Sequence, residues 1–111
     1  MPLKPINTKP RIDKLKKWPY HAYYIAKDIK KGRWPEAEPY IKNDARWAYF
    51  YARDIIKGRW PEAEPLIMKE AYMAYKYARD VIKGPWPEAE KHIKRDAAAC
   101  SEYTKKVLNN S

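Results

Sequence analysis

The sequence predicts an all-α protein, a solenoid-like helical-repeat array of about four two-helix units, on three observations. The octapeptide GRWPEAEP stands at residues 32–39, stands again unchanged at 58–65, and returns as GPWPEAEK at 84–91. The likeness extends beyond it: YARDIIKG (51–58) answers YARDVIKG (77–84) and the earlier IAKDIKKG (25–32), with Gly32, Gly58 and Gly84 spaced 26 residues apart. Between the octapeptides, Ala45, Ala48, Tyr49, Ala52, Ile55 and Ile56 recur at helical spacing. No single unit can bury that face, so neighbours must stack on one another.

Each unit reads as a long helix and a short one. The long helix runs from about Ala45 to Lys57, with Asp44 as N-cap, because its carboxylate accepts orphan N–H groups of the first turn. In the first unit the equivalent of Ala45 is Pro19, a residue well tolerated at a first helical position. Gly58 is expected to close the helix in the left-handed conformation, with Arg53 and Lys57 favouring the negative end of its dipole. The short helix is expected to start at Pro35, with Glu36 and Glu38 in its first turn and Ile41 pointing inward. Pro39 fits only in or just past that first turn, where a missing N–H costs little. Ile67 and Ile93 stand in register with Ile41, and Leu15 falls one period earlier. The octapeptide is then a structural joint of Gly32, Trp34 and Pro35, repeated as Gly58, Trp60 and Pro61 and as Gly84, Trp86 and Pro87, with each indole plugging the gap between units. The tail keeps the register, since Tyr103 answers Tyr77 and Val107 answers Val81. It drifts as a capping unit does, with Lys106 for Asp80 and Asn110 for Gly84. The chain divides into a basic arm, residues 1–14, and a repeat domain, 15–111, with units at about 15–31, 32–57, 58–83 and 84–110.

Charge is unevenly placed. The chain carries a net +10, of which residues 1–31 hold nine Lys/Arg against two Asp, while each later unit holds five against four. Near-neutral repeats are poor phosphate trackers. The excess lies in KPINTKPRIDKLKK (4–17), whose bases are Lys4, Lys9, Arg11, Lys14, Lys16 and Lys17. This arm reads either as a solvated leader or as a charged segment that docks on phosphate or on an acidic protein surface. From Ile12 and Leu15 it is expected to enter the partial short helix of the first unit. A lone Cys100 rules out an internal disulfide framework, and no apolar run reaches membrane-spanning length, so the expected place is the cytoplasm, with no membrane partner.

The outer face of the long helix is where the units differ. It carries Tyr20, His21, Tyr24 and Lys27 in the first unit, Arg46, Trp47, Phe50 and Arg53 in the second, and Tyr72, Met73, Lys76 and Arg79 in the third. Rings interleaved with bases fit a protein-docking patch or the stacking of nucleobases. They equally fit packing against the next helix. Asp28, Asp54 and Asp80 recur beside Lys27, Arg53 and Arg79 and are expected to make contacts between units. His21 and His92 lack a metal-ligand pattern, and Cys100 fills the slot of Ala22, Ala48 and Ala74. With no phosphate loop, serine elbow or zinc spacing, no catalytic, cofactor-binding or metal residues are expected and the chain is not expected to be an enzyme.

The run YARDIIKGRWPEAEPLI (51–67) and its copies resemble tandem helical repeats of bacteriophage-encoded and some bacterial proteins, over roughly residues 19–108. The departure at 84–91, Pro85 for Arg and Lys91 for Pro, touches only the last joint. The resemblance implies a helical array and a phage origin, under which a host or defence protein is the expected partner, and it transfers no activity and no ligand residues. The expected function is therefore a binding module docking on a protein with an acidic surface. Nucleic-acid binding through the arm and outer-face rings is the alternative, and a self-assembling structural protein is a second.

Overall fold

A computed structural model describes residues 14–109. The described residues hold helices and no strand. Four long helices of twelve residues each form the array. Each begins as an α-helix: α1 (Pro19–Ile25), α3 (Ala45–Tyr51), α5 (Ala71–Tyr77) and α7 (Ala97–Tyr103). Each then widens into a π turn: Ala26–Lys30, Ala52–Ile56, Ala78–Ile82 and Thr104–Leu108. Short helices α2 (Glu38–Ile41), α4 (Glu64–Ile67) and α6 (Pro87–Ile93) bridge consecutive long ones. Packing runs from each long helix to the next, as in a solenoid.

The helix starts fall where the sequence puts them. Asp44 Oδ1 accepts from the N–H groups of Arg46 and Trp47 at 3.0 and 3.2 Å, and Asp96 caps α7 through the N–H of Ala99. Pro19 opens α1. The helix ends do not. The left-handed residues are Lys31, Lys57 and Lys83, with φ of 54°, 61° and 63°, and no described glycine has a positive φ. The cause is the π turn. Ala52 carbonyl accepts from Lys57 N–H at 2.7 Å and from Gly58 N–H at 3.2 Å, one residue wider than an ordinary helix cap. The sharp reversal falls at Lys57, where this wide turn closes, one residue ahead of Gly58. A Cβ added at Gly58 would meet nothing within 4 Å. The fourth long helix ends without a left-handed residue, Asn109 having φ −80°.

The short helices correct a second expectation. Residues 35–37 are a turn closed by the N–H groups of Ala37 and Glu38 on Trp34 carbonyl, at 2.9 and 3.2 Å, and the helix starts only at Glu38. Pro39 is the reason: without an N–H it cannot bond back to Pro35 carbonyl, so the first turn is lost. Pro65 has the same effect in α4. In the third joint Lys91 replaces that proline, and α6 runs from Pro87 through seven residues.

The joint explains the octapeptide. Trp34, Trp60 and Trp86 are buried, and so are Ile41, Ile67 and Ile93. The N–H of Trp34 donates to the hydroxyl of Tyr51, 17 residues on, at 2.7 Å; Trp60 does the same with Tyr77 and Trp86 with Tyr103. Each tyrosine hydroxyl then donates to the joint glutamate at 2.7 Å: Tyr51 to Glu38, Tyr77 to Glu64, Tyr103 to Glu90. Arg33 and Arg59 grip Glu38 and Glu64 with two bonds of 2.9 Å each. Burial opposes ionisation of both carboxylates, but these bonds outweigh it and hold the pKa below 4.5. The ring of Tyr51 also lies 4.9 Å from that of Trp60, and Tyr77 packs alike on Trp86. Tyr51 and Tyr77 thus each touch two successive joints, and indole and phenol alternate along the core.

The long-helix inner face is buried at Ala48, Tyr49 and Ala52 and at Ala74, Tyr75, Ala78 and Val81, while Ala45, Ile55, Ile56, Ala71 and Ile82 are half-buried. In the last unit Tyr103 and Val107 are buried as the register implies. At the other end Lys14 and Leu15 are helical and Leu15 packs on the core. Lys4, Lys9, Arg11 and Ile12 lie outside the described residues; Lys14 and Lys17 are exposed and Lys16 half-buried.

Candidate protein-docking surface

A second polar ladder runs along the long helices and fixes the outer face. Tyr23 donates its hydroxyl to Asp54, 31 residues on, and Tyr49 donates to Asp80. Arg53 holds Asp54 with Nε and Nη2 at 2.7 and 2.8 Å, and its Nη1 reaches the Tyr49 hydroxyl at 3.3 Å. Arg79 repeats this with Asp80 and with the Tyr75 hydroxyl. The guanidinium bonds keep both aspartates ionised below the ordinary value of 3.8, against the cost of burial. Burial and the bond to Asp54 push the Tyr23 hydroxyl well above 10. The contacts expected of the recurring aspartates are therefore there at 54 and 80. Arg53 and Arg79, expected on a partner-binding strip, spend their donors inside this ladder and stack on neighbouring rings.

On this frame the rings gather at the first two units. Tyr20 meets Trp47 edge-on at 5.2 Å and Tyr24 at 5.1 Å. Trp47 also meets Tyr23 and Phe50 at 5.3 Å each. Tyr20 remains 53% exposed and Tyr24 41%, so the cluster is built but not covered. The helix explains the grouping: positions 20, 23 and 24 of the first helix and 47 and 50 of the second lie on facing ridges. The packing expectation is met at Trp47 and Phe50, which pack between helices, and not at Tyr20 and Tyr24, which face solvent.

The third-unit residues stand apart. Tyr72 pairs with Tyr75 at 5.4 Å under the Lys76 ammonium, 5.2 Å away. Arg46, Tyr72 and Met73 line a separate depression that shares no residue with the ring cluster. The outer-face strip is thus two places rather than one.

An open groove follows the ring cluster between the first two long helices, lined by Tyr23, Tyr24, Trp47 and Phe50 and by Lys27, Arg53, Asp54 and Lys57. It continues over Lys31, Gly32 and Ile55. Three further residues belong to this surface that sequence reasoning passed over. Trp18, 62% exposed and edge-on to His21 at 6.2 Å, occupies the N-cap position that Asp44, Glu70 and Asp96 hold elsewhere. A ring in a polar slot was its signal. Lys31 and Lys57, each just ahead of a joint glycine, are the others, and their left-handed backbone had no mark in the sequence.

Four recurring carboxylates are held by structural partners: Glu38 and Glu64 by joint arginines and tyrosines, Asp54 and Asp80 by the ladder. No helix among the described residues is long and apolar enough to cross a membrane. Comparison with protein-family models, curated proteins and solved structures finds no match to this chain.

Proposed function

We propose that the chain is a non-enzymatic binding module that docks through its first two units on a protein with an acidic surface. The observation that carries this reading is the half-covered cluster of Tyr20, Tyr24, Trp47 and Phe50, rimmed by lysines. Clustered aromatic anchors beside cations are the composition of a protein-binding hot spot. Nucleic acid is the weaker fit, because Arg53 and Arg79 are spent on carboxylates and each later unit is near neutral.

The test is affinity capture from a host-cell lysate, with and without nuclease, using the wild type, Trp47→Ala/Phe50→Ala and Tyr72→Ala. The reading expects a protein retained through nuclease treatment by the wild type and by Tyr72→Ala, and lost from the double variant. Steeply salt-dependent oligonucleotide binding at about 150 mM salt that survives in the double variant would overturn it in favour of nucleic acid.

A further inference from the structure

We infer that the bound element is a linear acidic segment carrying an aromatic residue, laid along the groove between the first two long helices. This rests on the docking reading above and specifies the partner's shape and chemistry. The groove changes character along its length. Tyr24, Trp47 and Phe50 line one stretch and Lys31 and Ile55 the other, while Lys27, Asp54 and Lys57 belong to both. A ring entering the first stretch finds edges and faces at Trp47 and Phe50. Carboxylates following it then meet ammonium groups.

The charge is unbalanced in the sense such a segment needs. Four cations, Lys27, Lys31, Arg53 and Lys57, face one carboxylate, Asp54, whose oxygens are taken by Arg53 and Tyr23. Among the described residues, none of the three lysines forms an ion pair. Lys31 and Lys57 are also rooted firmly. Lys57 N–H is tied to Ala52 carbonyl at 2.7 Å and Lys31 N–H to Ala26 carbonyl, so the backbone that presents each ammonium is fixed before binding.

Among the described residues the site occurs once. At the corresponding place between the second and third long helices, Met73 stands for Trp47 and Lys76 for Phe50. The π turns recur in every unit and belong to the array, whereas the rings mark one groove. A nucleic-acid strand would need its cations spaced along the array rather than gathered in one groove.

The experiment is fluorescence anisotropy at about 150 mM salt with a labelled peptide of glutamates and glycines around one central tryptophan. Three controls accompany it: the same peptide with alanine for tryptophan, the same with glutamines for glutamates, and an oligothymidylate of equal charge. The inference expects the parent peptide to bind about ten-fold tighter or more than each control. It expects Lys27→Glu/Lys57→Glu to lose that binding with melting unchanged. Tyr24→Ala, at an exposed ring, should weaken it in a protein whose core is intact. Equal affinity for the alanine peptide, or tighter binding of the oligothymidylate, overturns the inference. Absence of all peptide binding beside a protein capture that still needs Trp47 and Phe50 also overturns it, and leaves the docking reading standing. Capture indifferent to those rings overturns the docking reading itself.

Discussion

The two inner joints and the last one reach the same end with different parts. At the inner joints Arg33 and Arg59 clamp Glu38 and Glu64, and Pro39 and Pro65 hold the following helix to four residues. At the last joint Pro85 and Lys91 stand instead, Glu90 has no arginine at that place, and α6 is seven residues long. Yet the bond from Trp86 N–H to Tyr103 and the bond from Tyr103 to Glu90 keep their inner-joint lengths, 2.8 and 2.7 Å. The comparison separates what a joint requires, an indole with a tyrosine and a glutamate, from what it tolerates, an arginine clamp and a proline stop.

The largest expected effect tests the requirement. Trp60→Ala empties a fully buried site and should cost about 3–5 kcal/mol. Trp86 is as buried, but it joins only the last unit to the rest. Hydrogen exchange should show protection lost on both sides of residue 60 in the first variant, and only beyond about residue 84 in the second. Uniform loss in both would mean that the units do not open separately.

Tyr77→Phe comes next. It leaves a buried Trp60 N–H without its acceptor and should cost about 1–3 kcal/mol by chemical denaturation. Tyr103→Phe should cost a similar amount if the arginine clamp is dispensable. A much larger loss at 103 would show that Arg59 compensates at the inner joint, and the distinction between required and tolerated parts would shift.

The same tyrosines set an alkaline limit. Burial and the bond to Glu90 push the Tyr103 hydroxyl from 10 up to about 12, and burial pushes Tyr51 and Tyr77 higher still. A raised folded-state pKa means that folding favours the neutral phenol. That stability is fully present below the unfolded value of 10 and is lost as pH rises through the folded one. Denaturant midpoints should hold to about pH 9 and fall by about pH 11, with Tyr77→Phe less sensitive over that interval. The carboxylates work at the other end. Glu38 and Glu64 sit below 4.5, so their contribution is present above that value and fades as pH falls through the lowered one.

The smallest effects lie at the helix end and the arginine clamp. Lys57→Gly should stabilise the fold by about 1 kcal/mol, because only glycine enters the left-handed region without strain. Gly58→Ala, by contrast, should change the melting midpoint little. Arg59→Pro, which copies the last joint, should cost about 1 kcal/mol or less, as expected for a half-exposed ion pair.

Much of this was legible. The 26-residue period, the helix starts at Pro19 and Asp44, and the inward isoleucines follow from local chemistry, which each residue carries with it. The helix end was not legible, because a π turn adds its residue inside the period and leaves the spacing untouched. The role of Tyr51, Tyr77 and Tyr103 was readable but unread: each stands 17 residues after a joint tryptophan, and the matching position ahead of the first joint is Ile25. At the surface, equivalent positions pointed to one strip through all units. The residues divide it instead, since Trp47 and Phe50 complete a cluster with Tyr20 and Tyr24 that Met73 and Lys76 cannot continue.

The recurring side-chain bonds that hold the array reach 13 or 17 residues within a unit and 31 residues to the next one. A bond set that short has no knowledge of total length. A duplicate of residues 58–83 spliced in after residue 83 would find Trp, Tyr, Glu, Asp and Arg waiting at each distance, whereas removing that stretch would set Lys106 where Tyr49 now meets Asp80. Array length is therefore a quantity that gene duplication can change in whole steps without a compensating substitution, while the single ring-lined groove at the first two units is carried along unchanged.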